Sequence, residues 1–419
     1  MRSSELFTRT SKTVPGDETA RNAQLLIQAG FIHKEMAGVY AYLPLGKLVL
    51  DNIAAIVREE MNAIGGQEVQ MTILQPRELW EITDRWDDAK VDNWFKTRLK
   101  NGTELGAGLT HEEPIVDALS SYINSYKDLP IYVYQIQTKL RNELRAKSGL
   151  LRGREFLMKD MYSFARNQAE HEELYERAAV AYDKIYERLG IGGQTYRTYA
   201  DGGIFTDKFS IEFQTLSDIG EDTIYVHDGK RIAINQEIYT DENLAKLGLD
   251  KAELVEKQAV EVGNIFPLET KYTEALGVRF TDEQGQEQPI IMGCYGFGVS
   301  RIMGLLAELM ADDRGLVWTE AVAPAKLHIV RLGDKPEVVA QADELYNRLT
   351  ANHVSVLYDD RDMRAGEKFA EADLIGIPQR LVISDKTIAA GAYELKARQA
   401  SESRHVSPDE LLKIVGISS

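Results

Sequence analysis

Two stretches of alternating residues carry side chains that could bind a phosphate and an aromatic base. In IYVYQIQTKLRNEL, one face of the expected strand is polar from Gln135 onward and ends in Arg141 and Glu143. In FLMKDMYSF the alternation resumes, beginning at Phe156. An arginine can clamp a phosphate, a carboxylate can accept from an amino group, and an aromatic ring can stack on a base. The two stretches therefore predict an antiparallel hairpin with a binding face.

The loop between these stretches, LRAKSGLLRGRE, is cationic. It carries Arg145, Lys147, Arg152 and Arg154. Such a cluster could neutralise further phosphate charge. Hydration offers an alternative for both features, because a polar strand face is common at a solvated sheet edge and arginines are mostly exposed.

A third region that could do chemistry is IIMGCYGFGVSRIMGLLAELM, in which an apolar strand meets glycines and then a helix. A dinucleotide-binding fingerprint requires a third glycine where this chain has Arg301, and the sequence contains no P-loop motif. Rossmann and P-loop interpretations are therefore excluded. Glycines that admit a close backbone approach, followed by an arginine at a helix start, suit a purine ring and a phosphate. A tight packing turn explains the same glycines.

Two long helices are expected beside these regions. The first lies in LGKLVLDNIAAIVREEMNAIGG, where apolar residues recur at helical spacing until Gly65 and Gly66. The second begins at Asn167 with a capping-box pattern and ends at Gly190. Both helices are amphipathic enough to cover a sheet.

The pattern of expected secondary structure changes near residue 325. From 326 to 419 strands and helices alternate, which predicts a separate α/β domain after a first domain of residues 1–325. Within that first domain, residues 218–261 show short helical hints and no motif. We interpret this segment as a short excursion.

Composition narrows the class of protein. The 419 residues include 49 Lys and Arg against 66 Asp and Glu, a net charge of −17, which disfavours non-specific binding to DNA or to an anionic membrane. A single cysteine, Cys294, excludes an internal disulfide, and scattered histidines give no zinc cluster. No signal-peptide or membrane-length apolar run occurs. We expect a cytoplasmic protein with no membrane and no DNA partner.

Three blocks in order, the helix and strand ending near MTIL, the LRNE strand with its REFLMKD return, and GCYGFGVSR, resemble motifs 1, 2 and 3 of class II aminoacyl-tRNA synthetases. Within that class, AGVYAYLPLG, LTHEE, EVGNIFPLETKYTEAL and DDRDMRAGEKFAEADLIGIP resemble the bacterial-type proline tRNA ligase family over nearly the whole chain. The resemblance implies an α+β fold. An antiparallel sheet flanked by helices would fill residues 1–325, and an α/β anticodon-binding domain would fill residues 326–419. It also implies a homodimer.

The resemblance implies ATP-dependent ligation of L-proline to tRNA(Pro) through a prolyl-adenylate. Arg141 would hold the α-phosphate and promote attack by the proline carboxylate. Glu143 would accept from the adenine amino group. Phe156 and Arg301 would cover the two faces of the purine, with Arg301 also reaching the γ-phosphate. Arg152 and Arg154 would neutralise the β- and γ-phosphates or guide the tRNA end.

The family's proline contacts fall on residues of this chain that share a small pocket, namely Thr110, Glu112, Arg141, Phe156, Met158 and Cys294. A helix cap is the alternative for Thr110, and plain core packing is the alternative for Met158 and Cys294. Glu212 would hold Mg²⁺ between phosphates, unless it is a surface carboxylate. The anticodon contacts would come from Asp360, Arg361, Lys368 and Phe369, with helix packing as the alternative for Phe369.

The chain departs from the family at three places. Thr72 replaces a proline of motif 1, which bears on the dimer seam, and Ile211 replaces a pocket histidine. The excursion at 218–261 is too short for the editing domain that many bacterial members carry. We therefore expect that alanine, once activated, is not corrected in cis, since a proline-sized pocket rejects a smaller side chain by only about 1–3 kcal/mol.

Two alternative functions stay open at this point. One is a sister synthetase for another amino acid. The threonine enzyme needs a Cys/His zinc site, which one cysteine cannot supply, and the serine enzyme usually has a long N-terminal coiled coil. The other is a non-catalytic paralogue that binds RNA or regulates. Arg141, Glu143 and Arg301 together disfavour the paralogue.

Overall fold

The computed structural model describes residues 1–144, 146 and 148–417. Arg145 and Lys147 of the cationic loop lie outside the described residues. The helices are α1 Arg21–Gln28, α2 Pro44–Ala63, α3 Arg77–Glu81, α4 Glu112–Ser120, α5 Gln168–Leu189, α6 Asp241–Leu247, α7 Lys271–Ala275, α8 Val299–Leu309, α9 Pro336–Ala351, α10 Ala365–Ile375, α11 Asp385–Ala389 and α12 Pro408–Ile414.

The strands complete a mixed fold, which confirms the predicted α+β class. They are β1 Ile32–Met36, β2 Val39–Tyr42, β3 Gln67–Glu68, β4 Leu74–Pro76, β5 Lys96–Arg98, β6 Glu104–Ala107, β7 Ile131–Leu140, β8 Glu155–Ala165, β9 Thr195–Ala200, β10 Ser210–Leu216, β11 Asp222–His227, β12 Ile232–Asn235, β13 Val255–Glu269, β14 Arg279–Thr281, β15 Glu287–Pro289, β16 Ile291–Phe297, β17 Leu327–Leu332, β18 Val356–Asp359, β19 Gln379–Ser384, β20 Tyr393–Ala397 and β21 Arg404–Val406. No helix of the described residues is long and apolar enough to span a membrane.

The chain packs as two compact units. The larger unit comprises Ala54–Ala146 and Gly153–Ile302, and the smaller unit comprises Met1–Ile53, Lys147–Arg152 and Met303–Ser419. This division does not follow the predicted linear boundary after residue 325, because the first 53 residues share a unit with the C-terminal segment. The linear boundary stays a prediction.

A nine-stranded sheet forms the larger unit, in the order β10-β9-β12-β11-β13-β16-β8-β7-β3. Strands β7 and β8 pair antiparallel from Ile131 opposite Phe164 to Leu140 opposite Glu155, so the predicted hairpin is confirmed. Helix α5 packs on this sheet through buried residues such as Tyr182. It begins at the Asn167 cap and ends at a glycine, as its sequence predicts.

Residues 218–261 are part of this sheet rather than a separate excursion. They form the β11–β12 pair, the short helix α6 and the start of β13. Because β10 also pairs with β13, strands β10, β9, β12, β11 and β13 pair in a closed ring. The sequence did not predict these strands, since runs of four to six residues are too short to establish an alternating period.

A five-stranded sheet in the order β18-β17-β19-β20-β21 forms the core of the smaller unit. Strand β17 is parallel to both β18 and β19, and the last two strands are antiparallel additions. The predicted alternation of β17, α9, β18, α10, β19 and β20 is confirmed, whereas α11, β21 and α12 were not predicted. At the sheet edge, Arg2 forms a parallel bridge to Tyr358.

A tight backbone contact in the smaller unit yields a stability prediction. A Cβ on Gly46 of α2 would lie 2.0 Å from the Phe31 carbonyl oxygen, which already accepts from the Leu43 amide at 2.8 Å. We expect Gly46→Ala to lower the free energy of unfolding by about 1–3 kcal/mol, because the neighbour is backbone and cannot rotate away.

Thermal unfolding followed by circular dichroism checks this expectation. The matched control is Gly366→Ala in α10, where a Cβ would meet nothing within 4 Å. That change is expected to raise the melting temperature slightly, because alanine is the better helix former. Equal melting temperatures for the two variants would contradict the proposed backbone clash.

Candidate active site

The three sequence regions singled out for chemistry lie on neighbouring strands of the large sheet. Strand β16 lies between β13 and β8, and β8 pairs with β7. Cys294 of β16 is opposite Tyr162 of β8 and Phe266 of β13. The glycine-rich strand and the hairpin therefore form one continuous surface.

The polar face of β7 is buried, so its interpretation as a solvated edge is wrong. Gln135, Gln137 and Lys139 are all buried. The Lys139 ammonium lies 2.8 Å from an Asp160 carboxylate oxygen, and the other oxygen of Asp160 accepts from Gln135 at 3.0 Å and from Tyr162 at 2.8 Å. Buried charges are stable only when they are paired and hydrogen-bonded, and this network meets that condition.

His111 connects this network to two other segments. Lys139 donates to His111 Nδ1 at 2.7 Å, so Nε2 carries the ring proton and donates to the Thr72 carbonyl at 2.9 Å. Burial, reinforced by Lys139, lowers the pKa of His111 to about 4, which keeps the ring neutral. Only the carbonyl of Thr72 is used in this contact. A proline at this position offers the same carbonyl, so the substitution retains the bond.

A buried carboxylate forms the centre of the predicted amino-acid pocket. The Thr110 hydroxyl lies 2.8 Å from both oxygens of Glu112, and the Cys294 thiol donates to one of them at 3.4 Å. Thr110 does not cap α4, whose N-cap is His111, so the helix-cap alternative is wrong. Burial, followed by the charge of Glu112, raises the pKa of Cys294 well above its usual value. Cys294 is thus a neutral thiol that contacts Glu112 and also packs in the core.

A second carboxylate and an arginine lie directly behind Glu112. Arg85 Nη1 donates to Glu112 at 3.1 Å and to both oxygens of Glu113 at 3.0 Å. Burial alone would lower the pKa of Arg85, but Glu113 and Glu112 raise it above its ordinary value. Burial raises the pKa of Glu113, and Arg85 opposes that shift. The site therefore contains three buried charges that the sequence analysis had reduced to one.

Arg141 directly follows β7 and is half-buried. Its guanidinium carbon is 5.3 Å from the centre of the Phe156 ring, a stacking distance. Burial lowers the pKa of Arg141, the Arg301 guanidinium lowers it further, and Glu261, Glu143 and Glu112 oppose both effects. These predicted residues therefore share one electrostatic environment.

The backbone after β7 holds the rest of the hairpin tip. The Arg141 amide donates to the Arg154 carbonyl at 2.8 Å, and Arg154 Nε donates to the Glu143 carbonyl at 3.0 Å. Met158 lies on β8 opposite Gln137 and is half-buried. Arg152 is exposed and belongs to the smaller unit.

The glycines of β16 do not all have the same role. A Cβ on Gly293 would lie 2.5 Å from the Tyr295 hydroxyl, so packing alone requires a glycine there. A Cβ on Gly296 would meet nothing closer than 3.7 Å. A packing turn therefore accounts for Gly293 and not for Gly296, which leaves space beside the strand. Arg301, from the first turn of α8, donates to the Glu261 carbonyl at 2.6 Å and lies 3.3 Å from its carboxylate.

Glu212 lies among amides and other acids on the closed ring of strands. Its carboxylate accepts from Gln214 and Asn235, each at 2.9 Å. Burial, followed by the charge of Glu261, raises the pKa of Glu212 to about 8. It is not the surface carboxylate that the sequence left open. Ile211, beside it, places a half-buried apolar side chain where the family has a histidine.

No cluster of three or more His, Cys, Asp or Glu residues suited to a metal ion occurs among the described residues. Glu212 and Glu261 can nevertheless supply one or two carboxylate oxygens. Mg²⁺ commonly binds to protein in that way and takes its remaining ligands from substrate phosphates and water. The donor set therefore fits Mg²⁺ held together with a nucleotide.

The predicted anticodon residues lie near the end of β18 in the smaller unit. Arg361 donates to Asp359 at 2.8 and 2.9 Å and to Glu371 at 2.6 Å. The Lys368 ammonium is buried and donates to the Arg331 carbonyl at 2.7 Å and the Asp359 carbonyl at 3.2 Å. Lys368 therefore also has a structural role in holding the end of the strand.

The other two candidates have partners as well. Asp360 accepts from the Ser4 amide and hydroxyl, at 3.0 and 2.7 Å, and lies 3.3 Å from Arg2. Phe369 is half-buried, and the Arg380 guanidinium covers its ring at 4.3 Å. Both the packing role and the predicted RNA contact are compatible with that arrangement.

Sequence reasoning missed most of the polar interior of the site. Arg85 was not singled out, and Asp160 was noted only as part of a strand face, because a lone charged residue carries no local signal of burial. Lys139 was noted only as part of a polar face. The sequence did contain a signal for Glu113. Adjacent residues of a helix point in different directions, so the two acids of LTHEE cannot both face the same substrate group.

Two domain families match the chain. The family described as tRNA synthetase class II core domain (G, H, P, S and T) matches residues 95–310, and the family described as anticodon binding domain matches residues 326–416. The first match spans more than half of the 419 residues. The fold and the site therefore place the chain among the class II aminoacyl-tRNA synthetases.

Curated relatives define the family within that class. A proline--tRNA ligase of Maricaulis maris is 37% identical over 437 residues, covering 98% of this chain and 97% of the relative. A proline--tRNA ligase of Exiguobacterium sibiricum is 32% identical over 562 residues, covering 99% of each. The chain belongs to the proline--tRNA ligase family. The second alignment exceeds the length of this chain, so that relative contains a long insertion that the chain lacks.

Solved structures share the fold. Prolyl-tRNA synthetase from Cryptosporidium parvum, complexed with halofuginone and AMPPNP, gives a TM-score of 0.76 at 17% identity over 94% of this chain and 76% of that one. The Giardia lamblia enzyme in complex with prolyl-adenylate gives 0.75 at 17% identity, over 91% and 73%. At such identity the likeness concerns the fold alone.

A buried lysine beneath the site yields a pH prediction. Lys159 donates to the Tyr182 hydroxyl at 2.5 Å and to the Tyr295 carbonyl at 3.0 Å, and burial lowers its pKa to about 7. An unfolded lysine has a pKa of about 10.4, so the unfolded chain binds more protons between these values. The stability cost of Lys159 is therefore full below pH 7 and disappears as the pH rises toward 10.

We expect Lys159→Met to remove this dependence. The melting temperature of the unmodified chain, relative to that of the variant, should rise by several degrees between pH 6.5 and pH 9.5. Differential scanning calorimetry at the two values measures it. Lys184→Met, at an exposed lysine, is the control and should show no such change. A pH-independent difference for Lys159→Met would refute the assignment.

Proposed function

We propose that the chain activates L-proline with ATP and transfers the prolyl group to tRNA(Pro), as a homodimeric cytoplasmic enzyme. The observation that carries this proposal is the buried Glu112 carboxylate at the start of α4, which accepts from Thr110 and Cys294 and interacts electrostatically with Arg141. A small apolar pocket with one carboxylate suits a cyclic secondary ammonium. The names of the curated relatives support the same substrate.

The amino acid would bind with its ammonium at Glu112. Both oxygens of this carboxylate face the Thr110 hydroxyl, which fixes their orientation. Cys294 supplies an uncharged wall beside the ring. The proline carboxylate would then point toward Arg141, whose charge interacts with that of Glu112.

ATP would bind along the hairpin. Phe156 and Arg301 would cover the two faces of adenine, and Glu143 would accept from its amino group. Arg141 would hold the α-phosphate. As the proline carboxylate attacks in line and pyrophosphate leaves, negative charge develops on that phosphate, and a preorganised guanidinium stabilises it.

The acidic side of the site would hold Mg²⁺. Glu212 and Glu261 are the residues that would bind it, with Gln214 and Asn235 fixing the Glu212 carboxylate. When bound, the ion would neutralise phosphate charge and orient the leaving group. Arg152 remains our candidate for the β- and γ-phosphates or for the tRNA end.

The second step would transfer the prolyl group to the 3′ end of tRNA(Pro), recognised through Asp360, Arg361, Lys368 and Phe369. Residues 218–261 are used in the sheet and leave no room for an editing domain. Exposed apolar residues at the start of β4, Ile73 and Leu74, support pairing of two copies at motif 1.

Amino-acid-dependent ATP–pyrophosphate exchange tests the activation step. Proline, alanine, threonine, serine and histidine are supplied separately to the purified chain. We expect exchange with proline that falls by at least about a hundredfold in Arg141→Ala, because a transition-state contact is lost. Exchange with none of the five amino acids by a folded protein would refute the proposal and favour the non-catalytic paralogue.

The tRNA step has its own prediction. Arg361→Ala should weaken aminoacylation of tRNA(Pro) by about tenfold or more while leaving proline-dependent exchange within about twofold of the unmodified chain. Arg348→Ala, on a neighbouring helix of the same unit, serves as the control. Equal loss in the exchange and aminoacylation assays would reject the assignment of Arg361 to RNA binding.

A further inference from the structure

Two adjacent carboxylates share a single guanidinium behind the amino-acid pocket. Glu112 and Glu113 are fully buried, and Arg85 is 5% exposed. The rings of Trp80, Phe205 and Tyr272 surround the guanidinium, with ring centres 5.0–5.4 Å from its carbon. These groups are shielded from water, so the two carboxylates have a single positive charge to share.

The contacts show which carboxylate takes the larger share of Arg85. Both oxygens of Glu113 lie 3.0 Å from Arg85 Nη1, and Thr83 donates to one of them at 2.6 Å. Glu112 receives one longer contact, at 3.1 Å, and its remaining partners are the uncharged Thr110 and Cys294. Hydrogen bonds from donors favour the ionised form of a carboxylate. Glu113 therefore uses most of the positive charge.

The two lysines closest in charge interaction to Glu112 already have other partners. Lys139 is paired with Asp160 at 2.8 Å. Lys271 is exposed, and its ammonium donates to the Ile204 and Phe205 carbonyls. Among the described residues, Glu112 therefore forms an ion pair only with Arg85, which it shares with Glu113.

We propose that Glu113, together with Arg85, is a positioning residue that leaves the charge of Glu112 only partly compensated and therefore able to attract a substrate ammonium. This inference rests on the proposed function of the site and extends it to a residue that does not touch the substrate. Without the Glu113 charge, Arg85 would pair fully with Glu112. The pocket would then lose its affinity for a cationic amine while keeping its shape.

The test compares Glu113→Gln with Glu113→Asp in proline-dependent pyrophosphate exchange. Gln keeps the volume and removes the charge, whereas Asp keeps the charge. We expect Glu113→Gln to raise the KM for proline by about tenfold or more, with kcat and the KM for ATP changed by less than about threefold. Glu113→Asp should stay close to the unmodified chain.

Two controls separate this effect from structural damage. Glu81→Gln removes the acid of a surface pair with Arg77, 2.6 Å apart, and should change none of the constants. Tetrahydrofuran-2-carboxylate, a proline analogue with an ether oxygen in place of the amine, should inhibit the unmodified chain and Glu113→Gln equally. Damage to the pocket would weaken both ligands alike and would overturn the inference.

The outcomes distinguish this inference from the proposed function. An unmodified chain that shows no proline-dependent exchange would refute the function itself, and with it the inference. Exchange in the unmodified chain, with an unchanged KM for proline in Glu113→Gln, would leave the function intact and overturn only the role of Glu113. Selective loss of proline affinity, restored by aspartate, would establish that role.

Discussion

The ion pair between Lys139 and Asp160 is the interaction on which the site depends. Both groups are buried in the middle of the large sheet, and removing either would leave an unpaired charge that costs about 3–5 kcal/mol. The pair spans β7 and β8, and through His111 it reaches the segment that carries Glu112 and the backbone at Thr72. One network of polar contacts thus joins the two strands to the start of α4 and to the backbone at Thr72.

A second feature of the site is that opposite charges lie close together and only some of them are fully paired. On one side Arg85 and Glu113 pair behind the pocket, and on the other Arg301 pairs with Glu261 beside the space left by Gly296. Glu112 therefore has only a share of the Arg85 charge. Since interactions in a dry, preorganised site are stronger than in water, a partly compensated charge of this kind is effective for binding.

Residues 218–261 form a closed ring of strands with β9, β10 and β13. The alignment with the Exiguobacterium relative runs over 562 residues, against 419 in this chain. Here the segment closes a set of paired strands and supplies Asn235 to the Glu212 carboxylate. The segment therefore helps to position the Glu212 carboxylate.

Much of the fold could be predicted from local patterns. The long alternating stretches of β7 and β8 and the capped helix α5 have periods that extend over ten residues or more, so their type is evident without tertiary contacts. Short strands such as β12 lack that length and depend on their neighbours for pairing. The two-unit packing, in which residues 1–53 join the C-terminal segment, was not predicted either, because contacts between distant segments leave no local pattern.

For the site, the sequence by itself determined which chemical groups are present and, through ordered motifs, the family to which they belong. Tertiary structure alone decided which of these groups are buried and which charges cancel. Arg85 and Glu113 are 28 residues apart, and nothing local indicates that they meet. Burial and pairing are properties of three-dimensional packing, because the electrostatic cost of a charge depends on its surroundings and not on its neighbours in the chain.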